Sequence, residues 1–158
     1  MLDQEILADQ IGRAVRGGAW HGPSVGEVLA GVSAEDAAAH PIPDAHSIWE
    51  IVLHLIGGYT LVLRRLGGER LQLSPQEAWP PVTEVSAAAW RESQDALGQL
   101  NERLQSAVRA FPSQRLSDEL GSGFEAYVQF CGAPQHDAYH AGQIVMLKKA
   151  LAASREAS

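Results

Sequence analysis

HDAYHAGQIVMLKK, residues 136–149, places two histidines four positions apart. If the segment is helical, His136 and His140 lie on one face, one turn apart, and can aim two imidazoles at one point. The stretch falls in the last of four long segments with helical patterning. That segment is expected to run from near Phe124 through Leu151, with Gly132 and Pro134 kinking or briefly interrupting it just before His136.

The other helices follow from periodicity and stop signals upstream. Ile6, Leu7, Ile11 and Val15 recur at helical spacing over Leu2 to Val15, and Gly17-Gly18 ends the pattern. Ser24 can cap a short helix to about Ala30, and a second short turn is expected at Ala34 to Ala39. Pro41 and Pro43 then force an extended passage. Ser47 and Glu50 match a capping box, and IWEIVLHLIGGYTLVLRRL after Ser47 is apolar over much of its circumference up to Gly67-Gly68. Gly57-Gly58 inside it suits close backbone approach or room for a ligand.

Leu71 to Thr83, with three prolines, reads as a surface crossover whose Trp79 tucks back on the helices. Trp90, Leu97, Leu100, Leu104 and Val108 mark a third long helix from about Ser86 to Ala110, closed by Phe111-Pro112. The fold class expected is therefore all-α: a four-helix bundle with short extra turns between helices one and two and a long crossover between helices two and three. At 158 residues, one domain spanning 1–158 is the expectation.

A formal charge of −7 disfavours an extended nucleic-acid backbone contact, which needs a basic surface. The single Cys131 excludes an intrachain disulfide framework and reads as a small buried hydrophobe. The acidic, polar N-terminus lacks the pattern of a secretory signal, and no apolar run approaches the roughly 20 residues of a membrane span. A soluble, cytoplasmic protein is expected.

His54, in IVLHLI, gives the His136/His140 pair a candidate third member from another helix, because an unpaired imidazole in an apolar segment carries a desolvation cost. Two readings fit the three side chains. They form a tripod around a divalent ion with a position open for water or ligand, or His54 is a core histidine bonded to a nearby Glu or Tyr and the pair is half-exposed with no ion. Glu50, Asp137 and Gln143 are candidates to accept the distal imidazole N–H, though each also suits a cap or the surface.

His46 can edge toward the same cavity, or lie exposed at the helix start. His21 can close one mouth of the pocket, and His40, before a proline, reads as structural or exposed. Tyr139 is expected in core or interhelix packing, and Trp49 as a packing residue that could also line a pocket. CxxC, HExxH and Gly-rich nucleotide loops are absent from the sequence.

At HSIWEIVLHL (46–55) and QHDAYHAGQIVMLKKA (135–150) the chain resembles the DinB/YfiT-like family of bacterial metal-binding four-helix bundles. WHGPSVGEVLAG (20–31) and LSPQEAWPP (73–81) look like one of its subgroups. The resemblance implies that His54, His136 and His140 match the family's three metal ligands, usually holding zinc or nickel. It also implies a homodimer and two enzymatic alternatives, a transferase using a low-molecular-weight thiol and a metal-dependent hydrolase activating water. Three histidines alone leave a third reading open, a non-catalytic protein binding a metal or small ligand.

Overall fold

The computed structural model describes residues 3–157. Seven α-helices occur among them: α1 (Gln4–Arg16), α2 (Val25–Leu29), α3 (Ala34–Ala38), α4 (Ile48–Leu66), α5 (Pro75–Ala78), α6 (Ala87–Ala110) and α7 (Ala126–Glu156). A single 3-10 turn, Ser113–Arg115, follows α6. The expected start of the first helix at Leu2 lies outside the described residues.

Most helix starts are fixed by side-chain caps that satisfy first-turn N–H groups. Asp3 accepts from Glu5 N, Ser33 from Asp36 N and Ser86 from Ala89 N. Ser24/Glu27, Ser47/Glu50 and Ser74/Glu77 form reciprocal capping boxes. The last of these builds α5 inside what periodicity marks only as a crossover.

Three details depart from the sequence reading. Ile6 is exposed, because the buried stripe of α1 runs through Leu7, Ile11, Ala14 and Val15 and leaves its neighbour on the flank. The last helix begins at Ala126 rather than Phe124, which is exposed, and passes Leu151 to end at Glu156. It is also unbroken at Gly132 and Pro134. Proline removes one intrahelical bond, but buried Gln129, Phe130, Asp137, His140 and Ile144 hold the turns on both sides.

The four long helices pack in a ring: α1 against α6 and α7, and α4 against α6 and α7. Ile11, Ile48, Ile51, Leu55, Leu97, Leu104, Phe130 and Ile144 fill the centre. The short helix α5 seats on α4, which brings the crossover over the middle of that helix. Arg65 holds the crossover from below, donating through Nε and Nη2 to the Leu71 carbonyl and through Nη1 to Gln129 Oε1 of α7. No helix among the described residues is long and apolar enough to cross a membrane.

Candidate metal centre

His54 projects from α4 toward α7, where His136 and His140 occupy successive turns of one face. The His136 Nε2 lies 2.9 Å from His54 Nε2 and 3.0 Å from His140 Nε2. All three rings meet edge to face, with centroids 4.5–4.9 Å apart. Gly58 helps make this possible: a Cβ there would stand 3.6 Å from the His136 ring, so a side chain larger than alanine would compete with it.

The outer nitrogens decide what the inner ones can do. His54 Nδ1 lies 2.7 Å from the carbonyl oxygen of Ala78, which can only accept, so the proton sits on Nδ1 and the Nε2 lone pair faces inward. His140 Nδ1 lies 2.7 Å from Gln143 Oε1 and has the same polarity. Two lone pairs therefore point at His136 Nε2, which carries at most one proton.

A divalent cation would satisfy all three nitrogens at once. Tetrahedral zinc at about 2.0–2.1 Å from nitrogen separates its ligands by about 3.3 Å, a few tenths wider than the two spacings to His136, and the three donor atoms all lie within 4.8 Å of one another. The donor set, its orientation and its outer hydrogen bonds thus fit a zinc-like ion.

Electrostatics agree with neutral, ligand-ready rings. Burial pushes the imidazoles of His54 and His140 below the ordinary histidine range. His136, buried and facing both partners, is lowered to about 4.

Trp79 forms the wall. Its indole lies flat between His54 (3.9 Å between centroids, 3° between planes) and His46 (3.7 Å, 2°). The backbone of Ala78 and the ring of Trp79 together clamp His54, so the crossover positions a site residue although it supplies no donor to the cluster. The Ser74/Glu77 spacing is the signal that could have located this helix from sequence.

Of the four supporting candidates, Gln143 bonds a cluster imidazole and His46 borders the site through Trp79. Glu50 instead completes the Ser47 capping box and approaches His46 and His40 at 3.6 and 3.8 Å, one layer outside. Asp137 also turns away from the imidazoles. Its position on α7, about 100° around from His136, buries it in the core, where Tyr59 donates to Oδ2 at 2.5 Å.

That contact ends a chain that single-residue reading missed. Asn101 Nδ2 donates to the Tyr59 hydroxyl and to the Ile11 carbonyl, Gln105 Nε2 donates to Asn101 Oδ1, and Arg16 Nη2 donates to Gln105 Oε1. All four long helices take part. Burial raises the Asp137 carboxyl to about 7.

The remaining expectations sort by position. Tyr139 is not in the core: it is 65% exposed, edge-on to His140 at 5.0 Å. Trp49 packs, with Nε1 donating to Ser93. His21 and half-buried Cys131 line a separate cavity between α1 and α7, away from the cluster, and burial raises the Cys131 thiol. The exposed His40 bonds the Ala45 carbonyl.

An all-helical chain with three histidines converging from two long helices defines a class of helical proteins built around a potential metal centre. The sequence profile of the DinB superfamily matches residues 24–144, which include all three histidines, and the chain belongs to that superfamily. Neither the curated proteins nor the solved structures give a significant match.

Proposed function

We propose that His54, His136 and His140 hold one divalent ion, zinc or nickel, and that the protein is an enzyme transferring groups to or from a low-molecular-weight thiol. The observation that carries the metal reading is the His54 geometry, in which a backbone carbonyl fixes the proton outward and leaves the inner nitrogen as a donor. An ion there would lower the pKa of a bound thiol or water near neutral pH.

The chain's own residues do the rest. Ala78 and Trp79 orient His54, Gln143 orients His140, and Trp79 keeps water off one face of the cluster. His140 also lines an apolar cavity of about 510 Å³, where the electrophilic partner of a thiol would sit.

Thiol chemistry is favoured over water activation because hydrolysis calls for a proton acceptor beside the nucleophile. The two nearest carboxylates by sequence, Glu50 and Asp137, are committed to a helix cap and to the core, and Asp44, in the lining of the cavity that His140 borders, makes no hydrogen bond to any of the three histidines. Titrating the cobalt-substituted protein with a small thiol tests the reading. A sulfur-to-metal charge-transfer band that saturates at one thiol per chain is the expected result. An unchanged spectrum at saturating thiol, with cobalt bound, would leave a metal-binding protein without thiol chemistry.

A further inference from the structure

The 510 Å³ cavity runs from the cluster to the surface between α7, Trp79 and the extended passage before α4. Three large apolar side chains that the fold leaves in solvent line it: Ile42, Tyr139 and Met146, exposed by 37, 65 and 57%. Exposed apolar groups gathered on one concavity mark a ligand surface more than a packing accident.

The charge of the lining is one-sided. Asp44 is its one carboxylate, and neither Lys nor Arg borders it. Lys and Arg are the side chains that most often pair with carboxylate or phosphate groups, and here only the exposed imidazole of His46 could supply a positive side chain in their stead outside the cluster. Asp44 itself makes no ion pair or hydrogen bond among the described residues. Its backbone adopts φ +61°, the left-handed conformation that aspartate tolerates better than most residues and that recurs at functional positions. The net charge of −7 adds a field of the same sign.

We infer that this cavity selects a small molecule with an apolar or aromatic body that is uncharged or cationic, and that Asp44 rejects anionic ligands. The ligand's donor atom would meet the histidine cluster, so that part rests on the metal reading above. The selection by charge is assigned to Asp44 and is read free of the ion's own positive charge in the metal-free arm of the test.

Three para-substituted benzyl thiols of similar size test it: unsubstituted, carboxylate-bearing and aminomethyl-bearing. Their affinities are read on the cobalt-substituted protein at low ionic strength. The same three molecules with methyl in place of the thiol are read by calorimetry on metal-free protein.

On the metal-free protein the carboxylate should bind several-fold more weakly than the other two, the range open to an exposed charge such as Asp44 at low ionic strength. Asp44→Asn, which keeps a residue tolerant of the left-handed conformation, should narrow that gap, and Asp44→Lys should reverse the order of anion and cation. Equal binding of all three molecules, or an order untouched by both variants, overturns the inference. So does a change in molecular mass on Asp44→Lys, which would make this face a contact between copies. Discrimination that persists in the methyl series without any thiol-to-cobalt band supports the cavity and removes the thiol reading alone.

Discussion

Two polar layers lie side by side where α4 meets α7, and they are built on opposite principles. In the histidine layer, His54, His136 and His140 turn their inner nitrogens on one another with too few protons to go round. In the layer beneath, which begins one residue later at Asp137, each donor finds an acceptor in turn from Arg16 through Gln105, Asn101 and Tyr59. The second layer closes almost completely on itself, leaving Asp137 Oδ1 as the one buried side-chain polar atom without a partner among the described residues. In the first, two inward lone pairs share at most one His136 proton, a deficit that a bound cation would relieve. Burial alone therefore does not distinguish a structural polar cluster from a candidate site, whereas the direction of the lone pairs does.

The largest effect expected is the loss of metal on breaking the first layer. His54→Ala, His136→Ala or His140→Ala should each weaken binding by more than the 10–100-fold typical of losing an outer partner, measured by metal content after dialysis against a chelator. Tyr59→Phe should leave metal content near wild type and instead cost about 1–3 kcal/mol of stability, since it strips the buried carboxyl of its donor. Urea unfolding at neutral pH checks this, and a variant that loses metal but not stability would merge the two layers.

Their pH responses should oppose each other in the metal-free protein. Asp137 has a folded value of about 7 against an ordinary 3.8, so its contribution is complete below 3.8 and is lost as pH rises through about 7. His136 has a folded value of about 4 against 6.5, so its contribution is complete above 6.5 and is lost as pH falls through about 4. Asp137→Asn should therefore give a stability that rises more steeply between pH 4 and 6.5, and His136→Ala one that falls more steeply toward pH 7, in unfolding midpoints taken across that range.

The smallest contrast uses one substitution twice. At Gly58 a methyl group meets His136 at an ordinary 3.6 Å, so Gly58→Ala should keep metal and gain up to about 1 kcal/mol from helix propensity. At Gly12 the same methyl would crowd Arg16 Nη2 and lie 2.8 Å from Oε1 of Gln105, which is buried and bonded to Asn101, so Gly12→Ala should destabilise despite the same propensity gain. Thermal melts of the two variants separate them, and a stabilised Gly12→Ala would show that the end of the chain at Arg16 is slack.

Much of the fold was legible because long helices advertise themselves through periodicity and caps: the Ser47/Glu50 box begins α4 where the sequence places it. Proline at 134 misled because local propensity says nothing about the packing on either side of it. The histidine layer was readable from spacing, four residues on α7 plus one imidazole in an apolar run. Tyr59, Asn101 and Gln105 were not, since each alone resembles an ordinary helix residue and only the assembled ring brings them into one line. Ala78 could not have been found at all, because its contribution is a backbone carbonyl.

X-ray absorption at the metal edge of zinc-loaded protein tests the central claim most directly. The account predicts three imidazole nitrogens at about 2.0–2.1 Å, with one fewer in His54→Ala, the ligand supplied by the other helix. A zinc shell without imidazole scattering, or one unchanged in His54→Ala, would contradict it.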